Sequence, residues 1–250
     1  MFIEPTIEKL HALGLKAMSE AWLEQQKNPS VSSLSFDERF SFLVDAESLS
    51  RENKKMATRL KEAKLRISQA CIEGIDFSSR RNLDRSQLHQ LAMCGWVKDN
   101  LHIIITGATG VGKTYLGCAL AQQACRRGYR VIYRRVPRLF DELVLARADG
   151  TLPKLLTRFA RADVLVLDDW GLAPMQERNR LDMLEILEDR DGIKSTIVTS
   201  QLPPEKWHDQ IGDPTVADAI LDRLVHRAHT IELKGVSRRP TKEKESKKNT

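Results

Sequence analysis

Residues 101–114 read Leu-His-Ile-Ile-Ile-Thr-Gly-Ala-Thr-Gly-Val-Gly-Lys-Thr. The β-rich apolar run Leu101–Thr106 leads into G-x-x-x-x-G-K-T over Gly107–Thr114, and a helical period follows from Lys113 to Arg127. A strand before and a helix after are the context in which this Walker A pattern has a mechanism. Its glycines permit dihedrals closed to other residues, so the backbone can wrap closely around phosphates. Successive amides then point inward, and the helix N-terminus adds partial positive charge. Lys113 is expected to reach the β- and γ-phosphates, and Thr114 to place its hydroxyl on Mg²⁺. Gly107, Ala108, Thr109, Gly110, Val111, Gly112, Lys113, Thr114 and Tyr115 are the candidate ATP contacts.

Val164-Leu-Val-Leu-Asp-Asp169 follows about 50 residues downstream. A buried strand ending in acids delivers a carboxylate to the rim of a phosphate site. Asp168 is the candidate metal ligand and Asp169 the residue that orients or deprotonates an attacking water. A second acid beside the metal acid argues for hydrolysis over nucleotide storage. The sequence holds no Asn-Lys-x-Asp motif for reading guanine, so ATP is favoured over GTP. Another apolar run ends Ile197-Val-Thr-Ser-Gln201. In sheets of this type such a strand lies between the two Walker strands. Ser200 or Gln201 then bonds the γ-phosphate and the lytic water, or the stretch is an ordinary strand exit before Pro203-Pro204. Arg223, in Ile220-Leu-Asp-Arg-Leu-Val-His226, is either a guanidinium offered to a neighbouring subunit's γ-phosphate or a surface arginine paired with Asp222 or Asp218. Asp222, His226 and His229 have spacings open to a metal, but a solvated helix end explains them better.

Further runs at Arg130–Tyr133, Thr196–Thr199 and Thr230–Leu233 complete five strands. Helical periods separate them at Lys113–Arg127, Pro137–Ala148, Thr151–Ala160, Glu177–Arg190 and Pro214–Arg227. Short apolar strands alternating with helices predict an α/β fold with a parallel sheet covered on both faces.

Residues 1–70 predict a small all-helical domain. Ile7, Leu10, Ala17, Met18, Ala21 and Trp22 recur at helical spacing until Asn28-Pro29-Ser30. Ser35 and Glu38 form a capping box before a second helix, with Phe36, Phe40 and Leu43 on one face. A third helix is expected from Arg51 to Ser68, then a linker over 74–82 and a short helix capped by Asp84 that runs to Ala92. Residues 71–235 are assigned to the ATPase domain and 236–250 to a basic disordered tail.

The 250 residues are 41% hydrophobic and 30% charged, proportions that exclude a wholly disordered or collagen-like chain. No apolar run approaches the roughly 20 residues of a spanning helix. Cys71, Cys94, Cys118 and Cys125 show no C-x-x-C spacing and no leader-like N-terminus precedes them, as expected inside a cell. Cys118 and Cys125, seven apart, are expected to share a buried helix face.

Forty basic against 34 acidic residues give a formal charge of +6, unevenly spread. Residues 51–66 hold seven basic and two acidic side chains, and 126–138 hold six arginines with no acid. Lys54, Lys55, Arg59, Lys61 and Lys64, and Arg126, Arg127, Arg130, Arg134, Arg135 and Arg138, are candidate contacts to DNA phosphates or solvated charged faces. No zinc finger or RNP motif points to sequence-specific readout.

On these residues the chain resembles the AAA+ ATPases. More closely, it resembles the IstB transposition helpers of bacterial insertion sequences, relatives of the DnaC helicase loader. The resemblance rests on Gly107–Thr114, Leu167-Asp-Asp-Trp-Gly171, Ile197–Gln201, Ile220–His226 and the N-terminal stretches Leu13-Gly-Leu, Ala21-Trp22, Leu34-Ser-Phe-Asp-Glu-Arg and Lys61-Glu-Ala-Lys-Leu65. It implies a bacterial cytoplasmic ATPase that oligomerises with ATP and Mg²⁺ at subunit interfaces on duplex DNA. Such a protein helps the transposase of its element engage target DNA, and hydrolysis drives release. A DnaC-like helicase loader is the alternative. The resemblance also implies that Arg223 is the trans-acting arginine finger and that Gln201 stands where many relatives have a sensor Asn. Asp169 replaces the Glu usual in AAA+ proteins, which implies slow turnover. The chain ends soon after the fifth strand, so the usual helical lid domain is expected to be absent. A small-molecule P-loop kinase is disfavoured by the basic runs and the missing lid.

Overall fold

A computed structural model describes residues 3–77 and 82–237. Most of the expected basic tail, and residues 78–81 of the expected linker, lie outside the described residues. The chain divides into two compact units, Met1–Thr58 and Arg59–Thr250.

The first unit contains α1 (Ile3–Ala12), α2 (Lys16–Lys27), a 3₁₀ turn (Pro29–Ser33) and most of α3 (Phe36–Ala63). The capping box forms before α3: the Ser35 amide donates to Glu38 Oε2 at 2.8 Å, and the Glu38 amide donates to Ser35 Oγ at 3.3 Å. Glu47, buried on α3, accepts from the Ala17 and Met18 amides in the first turn of α2. A carboxylate there meets the unpaired amides of the helix N-terminus. The Arg51 hydrogen bond, helped by these amides, holds its pKa below the usual carboxylate range.

One correction concerns α3. The two helices expected on either side of residue 50 are one helix of 28 residues. Val44 to Arg51 contain no glycine or proline, so nothing interrupts the backbone ladder. The helix stops at Ala63, short of Ser68, where Lys64 takes a left-handed φ of 51°. The division between units also falls before residue 70. Ala63 and Ala70 are fully buried in the second unit's core, with Leu60, Leu65 and Ile67 packed against it. Residues 59–70 therefore belong with the sheet.

In the second unit, α4 (Arg85–Ala92), capped by Asp84 as expected, and α5 (Gly95–Lys98) precede the sheet. Its strands are β1 (His102–Gly107), β2 (Val131–Arg135), β3 (Val164–Trp170), β4 (Ser195–Ser200) and β5 (Ala228–Leu233). Their order is β2-β3-β4-β1-β5, and each neighbouring pair is parallel. The expected position of β4 between the Walker strands is observed. The helices are α6 (Lys113–Arg126), α7 (Val136–Ala148), α8 (Leu152–Ala160), α9 (Glu177–Glu188), α10 (Trp207–Ile211) and α11 (Pro214–Val225). Alternate residues of β1 enter opposite layers: Ile103 and Ile105 pack with Cys118 and Cys125 of α6, and Ile104 with Leu139 and Phe159. Both faces are dry, as parallel sheets require.

His102 opens β1 almost fully buried, and its Nδ1 accepts the Thr196 amide at 3.0 Å. Burial, reinforced by Arg190 and Arg227, pushes its pKa down to about 4 from an ordinary 6.5. Above pH 6.5 the imidazole is neutral in folded and unfolded chains alike. Between pH 6.5 and about 4 only the unfolded chain takes up the proton, so stability falls as pH drops. The loss from this group is up to about 3 kcal/mol. Urea midpoints measured across this range should decline in the wild type, and His102→Asn should reduce the slope.

Candidate nucleotide site

The turn from β1 into α6 has the geometry that its glycines predict. Gly107, Gly110 and Gly112 have φ of 140°, 86° and 102°, a region that L side chains rarely adopt. At Gly107 the constraint is also steric, because β1 pairs with β5 there and an added Cβ would lie 2.2 Å from the Leu233 carbonyl oxygen. Val111 is buried and anchors the loop. Lys113, nearly buried, donates through Nζ to the Gly107 and Ala108 carbonyls at 2.8 Å each, which holds its ammonium over the loop. The cleft encloses about 320 Å³ and is lined by Arg66, Ile67, Thr109, Gly110, Gly112, Lys113, Thr114, Tyr115, Asp169 and Gln201. Ala108 is exposed on the loop. The Tyr115 hydroxyl lies 3.5 Å from the amide and carbonyl of Cys71, so its ring sits beneath the 71–74 turn.

The acids stand at the end of β3. The register of β3 against β4 shifts between Leu167 and Trp170, and Asp169 takes a left-handed φ of 61°. In a regular strand, successive side chains face opposite sides. This bulge re-aims Asp169 so that its carboxylate and that of Asp168 both meet one guanidinium, that of Arg66. A non-glycine residue in this conformation stores strain of the kind concentrated at functional sites.

Asp168 is fully buried and fully bonded. Oδ1 accepts from Thr114 Oγ1 at 2.9 Å and from Thr199 Oγ1; Oδ2 accepts from the Tyr133 hydroxyl. Burial, then the bond to Asp168, pushes the Tyr133 phenol well above its ordinary pKa, so it remains a donor. Asp169 Oδ2 takes Arg135 Nε at 2.8 Å and lies 3.5 Å from Arg66 NH1. The Thr114 hydroxyl and the Asp168 carboxylate are hard oxygen donors held together, and they fit Mg²⁺ with its preference for few protein ligands.

Of the two polar candidates at the end of β4, Gln201, just past the strand, faces the loop and accepts the Thr109 hydroxyl at 2.8 Å. Ser200 turns away: buried, it donates to the Trp170 carbonyl and accepts the Leu202 amide. Arg223 does not line the cleft of its own chain. It donates to the Ala219 carbonyl at 2.7 Å and to Glu188 at 2.8 Å, a partner other than Asp222 or Asp218.

The basic candidates separate. Arg134 pairs with both Glu142 oxygens and stacks 5.6 Å from the Phe159 ring centre, while Arg135 is spent on Asp169. Arg138, Lys54, Lys55 and Lys61 are exposed. Arg59 donates to the Cys125 carbonyl and, with Arg130, Lys154, Arg158 and Arg161, lines a cleft of about 580 Å³ beside edge strand β2. His226 and Asp222, 3.3 Å apart, are mostly exposed, and no metal-binding cluster of three such side chains occurs among the described residues.

Sequence reasoning missed Arg66, Tyr133 and Thr199. Thr199 stood inside a quoted motif, and strand alternation from Ile197 places it on that residue's face. Tyr133 and Arg66 carry no comparable signal.

A family model described as IstB-like ATP binding protein matches residues 8–246. An insertion sequence ATP-binding protein of Sinorhizobium fredii is 47% identical over 246 residues, covering 98% of this chain and 100% of its own. The insertion sequence IS21 ATP-binding protein of Pseudomonas aeruginosa is 32% identical over 237 residues, 95% of this chain and 88% of its own. Among solved structures, DnaI is similar with a TM-score of 0.57 at 25% identity, over 66% of this chain and 92% of that one. The DnaC helicase loader is similar with a TM-score of 0.50 at 22% identity, over 60% and 89%. The fold is that of an AAA+ P-loop core.

Gly107→Ala should weaken binding of a fluorescent ATP analogue at least about tenfold, because loop or strand must shift to admit the methyl group. Titration of protein shown by circular dichroism to be folded checks this.

Proposed function

The chain belongs to the IstB-like ATP-binding protein family, and from that premise we propose an ATP-hydrolysing transposition helper that assembles on duplex DNA. The observation that carries the proposal is the Thr114–Asp168 contact, which brings the loop's metal-binding hydroxyl onto the β3 acid. Mg-ATP, when bound, supplies the phosphoanhydride whose terminal phosphoryl group passes to water.

The chain's own residues have separable tasks in that reaction. Lys113 exchanges its two carbonyl partners for phosphate oxygens. Thr114 and Asp168 would hold Mg²⁺, while Thr199 and Tyr133 fix the Asp168 carboxylate in place. Asp169 accepts a hydrogen bond from the attacking water, and Gln201, already against Thr109, orients the far end of the triphosphate. Arg223 serves a neighbouring subunit's γ-phosphate, which fits its position outside its own cleft.

Support for DNA comes from charge. Arg59, Arg130, Lys154, Arg158 and Arg161 line one cleft with a single acid, Glu62. Such a surface binds phosphates by counterion release and weakens steeply with salt. A set of subunits bridged by ATP would add many weak contacts along one duplex. A transposase of the same element is the protein partner in this reading, and Mg²⁺ and ATP are its cofactors. The likeness to the DnaC helicase loader favours one alternative, in which a replicative helicase takes the transposase's place; co-purification against each partner separates them.

Lys113→Ala should abolish ATP binding. Asp169→Asn should bind ATP normally and hydrolyse it at least about tenfold more slowly; hydrolysis at the wild-type rate would remove Asp169 from the reaction. Arg223→Ala should lose hydrolysis yet keep ATP affinity, and mixing it with Lys113→Ala chains should restore part of the rate. Assembly size and duplex affinity should both rise with ATP over ADP. Equal values in all nucleotide states would defeat the proposed switch.

A further inference from the structure

Arg66 is ion-paired with both acids. It follows α3 on a turn opened by the left-handed Lys64, and its guanidinium NH1 lies 3.6 Å from Asp168 Oδ2 and 3.5 Å from Asp169 Oδ2. Its neighbour Ile67 lines the same cleft. Among the described residues, Arg135 is paired with Asp169, and Lys113 donates to two loop carbonyls. A fully buried carboxylate such as Asp168 needs a compensating charge. Its three hydroxyl partners supply dipoles, and Arg66 supplies a full charge. Yet the Arg66 side chain is 44% exposed and sits on a loop, so its hold is of the weak, solvent-screened kind.

We propose that Arg66 is a displaceable counter-cation. In the nucleotide-free chain it neutralises the acid pair of β3, and the Mg²⁺ that accompanies ATP takes its place. The inference rests on the ATP reading above and deepens it. Two cations cannot share these oxygens without strong repulsion at such separations. Metal binding therefore carries the cost of releasing Arg66, and the turn after α3 loses this anchor when the metal arrives. By linkage, removing Arg66 should strengthen the coupling between Mg²⁺ and nucleotide.

The test is equilibrium binding of a fluorescent non-hydrolysable ATP analogue to the full chain, in excess Mg²⁺ and in EDTA. The quantity read is the ratio of the two dissociation constants. Arg66→Ala should raise the Kd ratio, EDTA over Mg²⁺, about fivefold or more, and Arg66→Lys should keep it within about twofold of wild type. Arg66→Gln, which keeps most of the side chain's bulk, should behave as Arg66→Ala and stands in if that variant fails to fold. An unchanged ratio in the neutral variants overturns the inference. So does equal weakening in both conditions, the result expected of a structural residue or a plain phosphate ligand. A rise in Arg66→Lys as large as that expected of Arg66→Ala overturns it as well. If the wild type binds no analogue in either condition, the ATP reading itself falls, and this inference with it.

Discussion

One buried carboxylate organises this molecule. Asp168 has no exposed surface, and an ionised group in that position is tolerated only when its oxygens are satisfied. Its partners come from three places: Thr114 at the start of α6, Thr199 on β4 and Tyr133 on β2. Satisfying Asp168 therefore fastens three neighbouring strands to the phosphate loop at their C-terminal ends. That is where ligands of open parallel sheets bind, because the strand order changes direction there and leaves a crevice. The same bonds that make the charge bearable aim it at the loop.

The β3 bulge adds a second constraint. Without it Asp169 would point through the sheet, away from Asp168, and could not serve the same phosphate. With it, Asp169 faces guanidinium groups of Arg66 and Arg135. This has a consequence for the arginine-rich stretch 126–138. Read as a linear run it suggests a continuous basic surface, but the fold allocates its members to different tasks. Arg135 neutralises the site, Arg134 is bound to Glu142, and Arg126 pairs with Glu73. The basic cleft beside β2 takes Arg130 from the run and recruits Lys154, Arg158 and Arg161 from α8 and the turn after it, residues separated from the run by a helix. Net charge survives folding; the shape of a charged surface does not follow from sequence spacing.

The sheet, its helices and the Walker residues were legible because each is a local pattern. Strand alternation, helical period and glycine spacing act over a few residues, and the chain carries them consistently from Leu101 to Leu233. What escaped depends on contacts between distant residues. Nothing local distinguishes Tyr133 from a core aromatic; its role comes from parallel pairing of β2 with β3, which sets it against Val166 and brings its hydroxyl to Asp168. Arg66 lies about a hundred residues from its partners, within a run of similar charges. The continuity of α3 escaped for another reason: the apolar stripes before and after residue 50 read as two helices, but the backbone ladder continues wherever no breaker interrupts it.

These two points meet at the charge balance of the site. Among the described residues, Arg66 and Arg135 are ion-paired with the acids of β3, and Lys113 lines the same cleft. Each is held differently: Lys113 on carbonyls of the loop, Arg135 close to Asp169 alone, Arg66 at longer range to both acids. A polyanion entering the cleft needs cations free to turn toward it, whereas a metal ion needs carboxylates free to receive it. A site in which every charge was tightly paired would resist both. Here the most solvent-screened of the three, Arg66, is also the one paired with both acids, so in the proposed exchange the least costly rearrangement is its release, while Arg135 stays with Asp169 and Lys113 is left to turn toward phosphate.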